Sequence, residues 1–262
     1  LFNFDIAKIK INYLGYPGTM GTNNYNYIIA DKVIIPEEDK QFYSETVLYL
    51  KENYQPFTPI PFEQNFDRSN FNLPKEGFVL GCLSRIEKIL PNIFDIWMEI
   101  LNKYNDTYLA LYISESKVIN NLKSYCNEKN YDFNRIIFLN HLSHLDNLKR
   151  ISTFDLYLDT FPYNGHTGIS DSLFQSCVPT ISFNGKSFAS RVSKSLLLTL
   201  DLQNLIAHNE AEYKEKIEFF YSNKTELKKI RNYLLNYKSK NINRMKTFTK
   251  DFENLMLELV KK

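Results

Sequence analysis

Between Gly77 and Ser187 the chain alternates short apolar runs with stretches whose apolar residues recur at helical spacing. FVLGCL opens the pattern as a strand. PNIFDIWMEILNKY follows as a helix, begun by Pro91 and turning Ile93, Ile96, Trp97, Ile100 and Leu101 to one face. TYLALYI reads as a second strand and SKVINNLKSYCNEKN as a helix with a polar face; RIIFL, DLYLD and PTISF supply three more strands. Strand-helix alternation with nearly continuous apolar strands predicts an α/β fold, a parallel sheet covered by helices on both faces. Beyond Ser187 no further strand is expected. SFASRVSKSLLLTL, NEAEYKEKIEFFYS, KTELKKIRNYLLNY and INRMKTFTKDFENLMLELV all read as helices, the last with Met245, Phe248, Phe252, Leu255, Met256 and Leu259 at helical spacing.

Residues 1–76 follow another pattern. They carry INYLGYPGTMG, the strand-like YNYIIAD, and then a stretch with Pro56, Pro59, Pro61 and Pro74. That stretch predicts a linker or a wrapping segment without a packed core. The chain starts with Leu1, which reads as a piece of something longer.

Composition narrows the class. With 44% hydrophobic and 24% charged residues, the 262-residue chain has the composition expected of an ordinary soluble globular protein. A formal net charge of +2 gives no reason to expect nucleic-acid binding, and the basic residues of the last helices read as solvated faces opposite a buried stripe. Cys82, Cys126 and Cys177 show no CxxC spacing and read as buried free thiols in a reducing compartment. No apolar run approaches the ~18 residues of a membrane span. The N-terminus has no basic-then-apolar leader pattern, so no membrane contact and a cytoplasmic location are expected.

The chemistry gathers at strand ends, where open parallel sheets bind ligands. DTFPYNGHTGISD, residues 159–171, begins as the DLYLD strand closes and runs into a helix-like stretch. A helix starting near Thr167 or Gly168 turns free N–H groups and its positive dipole end toward the crevice, which suits a phosphate. Gly165 and Gly168 permit close backbone approach, Thr167 is a candidate cap, and His166 is a candidate donor to an oxyanion or a sugar hydroxyl. After the first strand comes SRIEKILP, whose Lys88 can face the same anion as a point charge. By themselves these residues also suit a plain strand-to-helix turn and a surface lysine.

The blocks LGYPGTMG, YNYIIAD, SRIEKILPNIFDIW, RIIF, LDTFPYNGHTGISD, FASRV and LIAHNEAEY resemble, in this order, the catalytic region of the O-linked N-acetylglucosamine transferase family, over about residues 6–220. The resemblance implies the C-terminal, Rossmann-like domain of a GT-B glycosyltransferase followed by C-terminal helices. It places a remnant of the N-terminal catalytic lobe and a linker in residues 1–76, and the nucleotide-sugar-binding domain in 77–262. It implies metal-independent, inverting transfer of N-acetylglucosamine from UDP-GlcNAc to Ser or Thr hydroxyls of an acceptor protein, with no cofactor beyond the donor substrate. Lys88 matches the family lysine on the donor diphosphate, His166 and Thr167 match the donor-contacting His-Thr pair, and Asp171 matches the acid on the ribose. Arg85 stands where the family often has a polar ligand contact. Leu14 and Gly15 match the loop over the sugar, Tyr163 a wall of the sugar pocket, and Leu142, His144 and Arg150 the segment around the uracil.

Two positions depart from the family pattern. Gly168 replaces a second threonine, which removes a hydroxyl and keeps the N–H, and Asn147 stands where a nucleotide-contacting histidine is common. Both are expected to weaken donor binding. The N-terminal half of the catalytic region, with its proposed base, and the tetratricopeptide repeats are absent from these residues. The expectation is therefore the donor-binding half of a UDP-sugar transferase. The alternatives are another GT-B enzyme with a different UDP-sugar, an epimerase among them, and a degenerate nucleotide-sugar- or protein-binding module without turnover.

Overall fold

The computed structural model describes residues 4, 7–63 and 65–261; residues 1–3, 5, 6, 64 and 262, Leu1 among them, lie outside that description. Three short strands come first: β1 (Ile11–Asn12), β2 (Tyr27–Ala30) and β3 (Thr46–Tyr49). They pair in parallel in the order β1-β2-β3. Ile28, Ile29, Ala30, Ile34 and Ile35 are buried on and just after β2. These residues join the same hydrophobic core as the main sheet, and the strand-like YNYIIAD stretch supplies β2. β3 escaped notice because TVLY is four residues long and sits between acidic and proline-rich stretches.

The main sheet contains β4 (Phe78–Cys82), β5 (Thr107–Leu111), β6 (Ile136–Phe138), β7 (Leu156–Leu158), β8 (Thr180–Phe183) and β9 (Ile206–Ala207). Their order is β6-β5-β4-β7-β8-β9, all parallel. Counted from β4, this is the 3-2-1-4-5-6 order of a doubly wound dinucleotide-type sheet, with its switch point between β4 and β7. Helices α1 (Pro91–Lys103), α2 (Ser116–Lys129) and α3 (His144–Ser152) connect the first four of these strands. The stretch after β7 forms the short α4 (Thr167–Ser170), which widens into a π-type turn over Asp171–Gln175. α5 (Val192–Thr199), α6 (Glu210–Ser222), α7 (Lys224–Lys240) and α8 (Arg244–Val260) complete the chain.

The sheet forms where the apolar pattern placed it. Every residue of β4 is buried, and α1 buries Ile93, Ile96, Trp97, Ile100 and Leu101 as its spacing required. Gly81 has a steric reason at the centre of β4: a Cβ there would lie 2.1 Å from the Phe154 ring. β9 corrects the expectation that strands end at Ser187. It is two residues long, too short to show periodicity, and is recruited by pairing with β8.

The terminal helix has a docking surface within the chain. Its Phe252 ring lies 5.2 Å from that of Tyr13, and Lys51 pairs with Asp251 at 3.0 Å and Arg244 with Glu52 at 2.6 Å. The extended stretch 56–61 bridges the two sheets: Phe57 stacks on Phe174 at 4.0 Å, and Gln175 both accepts from the Ile60 N–H (2.8 Å) and donates to Thr58 O (2.7 Å). Buried Asp31 ties β2 to α5, accepting from the Tyr54 N–H at 3.0 Å and from the Ser195 hydroxyl at 2.6 Å.

Candidate functional site

The loops that leave β4 and β7 meet at the switch point. After β4 the chain makes a 3₁₀ turn, Ile86–Lys88, with exposed Arg85 at its start. Lys88 Nζ donates to Asn164 O at 2.9 Å and lies 3.8 Å from the centre of the Tyr163 ring. The Tyr163 ring in turn stacks on His166, centroids 5.3 Å apart. Burial lowers the Lys88 pKa from its ordinary value, with neighbouring Arg85 acting the same way and Asp159 opposing both.

Helix α4 starts at Thr167, as the strand-end argument required, but the capping differs from expectation. His166 is the N-cap residue, no side chain caps the helix, and exposed Thr167 keeps its hydroxyl free of that duty. His166 Nε2 is buried without a hydrogen-bond partner. Burial, and then the positive charge of Lys88, push the imidazole down to about 4, so it is neutral at physiological pH. Asp171 lies one turn in, its backbone N–H bonded to the Thr167 and Gly168 carbonyls. Its carboxylate meets His144 Nε2 at 3.1 Å, and burial raises its pKa. A Cβ at Gly168 would come within 3.3 Å of the Tyr157 hydroxyl, which already accepts from the Leu83 N–H at 3.1 Å. A larger residue at Gly168 therefore requires that tyrosine to give way.

Two clefts flank this point. One of about 460 Å³ is bounded by Leu14, the 54–60 stretch, His144, His166, Thr167 and Asp171. The other, of about 370 Å³, is lined by Leu83, Tyr112, His141, Leu142, His144 and Arg150 among others, so His144 stands between the two. Arg150 is 3% exposed; it donates to Asn140 O at 2.8 Å and to Asn147 Oδ1 at 2.5 Å, while its Nε has no partner. Asn147 thus orients the guanidinium. Apolar clefts elsewhere, such as that between Ile86 and Tyr125, lack such convergent polar groups.

The structure brings Leu14, His144, His166, Thr167 and Asp171 to one cleft, Leu142, His144 and Arg150 to the next, and Lys88 and Tyr163 to the rim beside His166. Gly168 follows in the first turn of α4. Arg85 stays exposed beside Lys88, and Gly15, bonded through its N–H to Tyr13 O at 2.8 Å, is placed next to Leu14 in the loop after β1. Residues that build the site without having drawn attention as site residues are Asp159, Thr160 and Asn164, all fully buried. Asp159 Oδ1 accepts from the Thr160 N–H (2.8 Å) and the Gly165 N–H (2.7 Å), and Oδ2 from the Ser182 hydroxyl (2.6 Å). The Thr160 hydroxyl donates to Tyr163 O at 2.7 Å, and the Asn164 amide donates to Thr160 O and Phe183 O. An acid directly after an apolar run was the available signal; its burial depends on β8 and α5, far along the chain.

Among the described residues, no three His, Cys, Asp or Glu side chains gather as a metal site, and no helix is long and apolar enough to cross a membrane. Cys82, Cys126 and Cys177 are free and buried.

Comparison with known proteins gives this geometry a context. The chain is 28% identical over 237 residues to the probable UDP-N-acetylglucosamine--peptide N-acetylglucosaminyltransferase SEC of Arabidopsis thaliana, covering 87% of this chain and 24% of that protein. It is 30% identical over 234 residues to the probable transferase SPINDLY of Petunia hybrida, covering 86% and 24%. The chain thus spans about a quarter of the length of these curated relatives. A mutant of the Thermobaculum terrenum O-GlcNAc transferase superposes with a TM-score of 0.85 over 95% of this chain and 47% of that one, at 24% identity. Anabaena HepE, solved with UDP-glucose, gives 0.60 over 91% and 64%, at 13% identity. At such identities the likeness speaks for the fold alone, that of GT-B transferases. The sequence profile of glycosyl transferase family 41 matches residues 1–56 and 65–252, and the chain belongs to that family.

Proposed function

We propose that the chain supplies the donor-binding half of a metal-independent transferase that moves N-acetylglucosamine from UDP-GlcNAc to Ser or Thr hydroxyls of a protein, with inversion. The observation that carries the reading is the convergence of Lys88, His166 and the start of α4 at the switch point of a family 41 sheet. The acceptor oxygen attacks the anomeric carbon as the bond from that carbon to the β-phosphate oxygen breaks. UDP leaves with the electron pair, and negative charge grows on the diphosphate. The Lys88 ammonium and the N–H groups at the start of α4 present fixed positive potential there, which needs no reorganisation during the step.

In the same reading Asp171 accepts from the ribose hydroxyls, releasing its contact with His144. The 370 Å³ cleft with Arg150 receives the uracil, and Leu14, Gly15 and Tyr163 border the sugar. Neutral His166 donates a ring N–H without adding charge. The relatives named as N-acetylglucosaminyltransferases support the choice of sugar, and in this reading acceptor recognition and the base that takes the acceptor proton belong to other parts of a longer protein.

The test is a transfer assay with radiolabelled UDP-GlcNAc and a Ser/Thr peptide, on a protein containing the family's complete catalytic region, in EDTA. Undiminished transfer, lost in Lys88→Ala, is expected. Transfer that requires added manganese contradicts the reading. A second reading, a nucleotide-sugar-binding module without turnover, draws on Gly168 and on Asn147, which is already tied to Arg150. Tight UDP binding with no transfer in that assay selects it.

A further inference from the structure

One peptide group joins the two oppositely charged side chains of the switch point. The Asn164 carbonyl accepts from Lys88 Nζ at 2.9 Å, and the N–H on the other side of the same amide, that of Gly165, donates to Asp159 Oδ1 at 2.7 Å. In a trans amide these two groups point in opposite directions. The amide dipole therefore lies with its negative end on the ammonium and its positive end on the carboxylate, which strengthens both bonds.

We propose that Asp159 is a positioning residue for Lys88, acting through the Asn164–Gly165 peptide. The proposal rests on the reading that Lys88 meets the donor diphosphate. Asp159 itself is fully buried and touches no part of either cleft, so it takes no direct part in donor contact. Its other bonds, from the Thr160 N–H and the Ser182 hydroxyl, engage both carboxylate oxygens. The Asn164 side chain is fixed in the same way, so the peptide cannot turn to release Lys88 without breaking buried bonds. A lysine on a flexible four-carbon stem is thereby held at the strand end before a ligand arrives.

The device is set by the ionisation of Asp159. Burial pushes its carboxyl up to about 6, against the pull of Gly165, Ser182, Ser193 and Thr160. The other titratable groups that face it are Cys82 at the end of β4, Tyr157 on β7, Tyr213 on α6, and Lys88 itself. The thiol is raised to about 12 and both tyrosines well above their usual value, so none of these three titrates near neutrality. Above about 6 the charged carboxylate holds the peptide and supports the ammonium; below it the hold weakens.

Asp159→Asn tests this without removing the packing. Its oxygen can still accept from both amides, and its NH₂ can donate to the Ser182 hydroxyl, so the fold is retained. The probe is UDP-GlcNAc, whose diphosphate diester gains no proton between about pH 5 and 8. Wild-type affinity is expected to fall as pH drops through about 6, and Asp159→Asn to lack that component while binding about 3- to 10-fold more weakly at high pH. Ser182→Ala removes a donor to the charged form and should move the midpoint upward. The ¹³C resonance of dimethylated Lys88, assigned with Lys88→Arg, reads the same coupling without any ligand. It should show a step with the Asp159 midpoint, shifted up in Ser182→Ala and absent in Asp159→Asn. A Lys88 resonance that titrates identically in all three proteins overturns the proposal, as does unchanged affinity and pH profile in Asp159→Asn. If UDP-GlcNAc binds none of the proteins, the donor reading fails, and the Lys88 resonance alone still decides the relay.

Discussion

Two loops border the cleft, and they are built differently. The loop from Asp159 to Asp171 is fixed from below: Asp159, Thr160 and Asn164 are fully buried and bind one another's backbone. The loop after β1 is fixed at its flanks. Asn12 donates to Gly18 O at 2.8 Å, and buried Glu45 accepts from the Thr19 hydroxyl and the Met20 N–H, both at 2.6 Å. Between those anchors Leu14 and Tyr16 are exposed, and Leu14 has a φ of 61°, a left-handed conformation costly for a branched side chain. Under the proposed function, the contrast puts preorganisation on the side where phosphate charge would develop and strain with exposure on the side that would cover the sugar. Electrostatic stabilisation needs fixed charges, whereas a cover must admit and release its ligand.

The largest effect should come from the fixed side. Lys88→Ala is expected to lower transfer by about 10²-fold or more, on the scale of a lost oxyanion donor, in a protein containing the family's complete catalytic region. Near-parental turnover in a folded variant would break the comparison at its root. His166 gives a stability effect on the same loop. Its folded pKa of about 4 lies below the ordinary 6.5, so the stability it contributes is fully present above 6.5 and is lost as pH falls toward 4. Its contribution, read as the difference between wild type and His166→Gln in thermal unfolding, should fall by at most about 3 kcal/mol across that window, since Asp159, raised to about 6, titrates there in both proteins with the opposite sign.

Asp171→Asn is expected to weaken UDP by about tenfold while changing 2′,3′-dideoxy-UDP little, as calorimetry can show. Equal losses for both ligands leave Asp171 only its place in the first turns of the helix. The smallest effect belongs to the strained loop. Leu14→Gly relieves the positive φ and should add up to about 1 kcal/mol of stability. UDP affinity should hold, while UDP-GlcNAc affinity drops a few-fold because the side chain over the sugar is gone. Equal changes for the two ligands would show that Leu14 does not cover the sugar.

The sequence made these two loops unequally legible. β4, β5 and α1 were plain because their apolar positions follow the sheet and helix periods over many residues. Lys88 and the His166–Asp171 turn could be found because a strand end followed by small residues and a helix start is a local pattern. β3 and β9 were hidden by their brevity. The Gln175 clamp on residues 58–60 and the docking of α8 near Tyr13 join positions more than a hundred residues apart, which no local window registers. The same holds for Asp159, whose burial is decided by Ser182 and α5.

The central claim is a place: the donor diphosphate at the β4/β7 switch point. A crystal structure of the chain soaked with UDP tests it most directly. A diphosphate oxygen within about 3 Å of Lys88 Nζ and of an N–H at the start of α4 is the predicted result. UDP bound away from both Lys88 and the start of α4 would contradict the account.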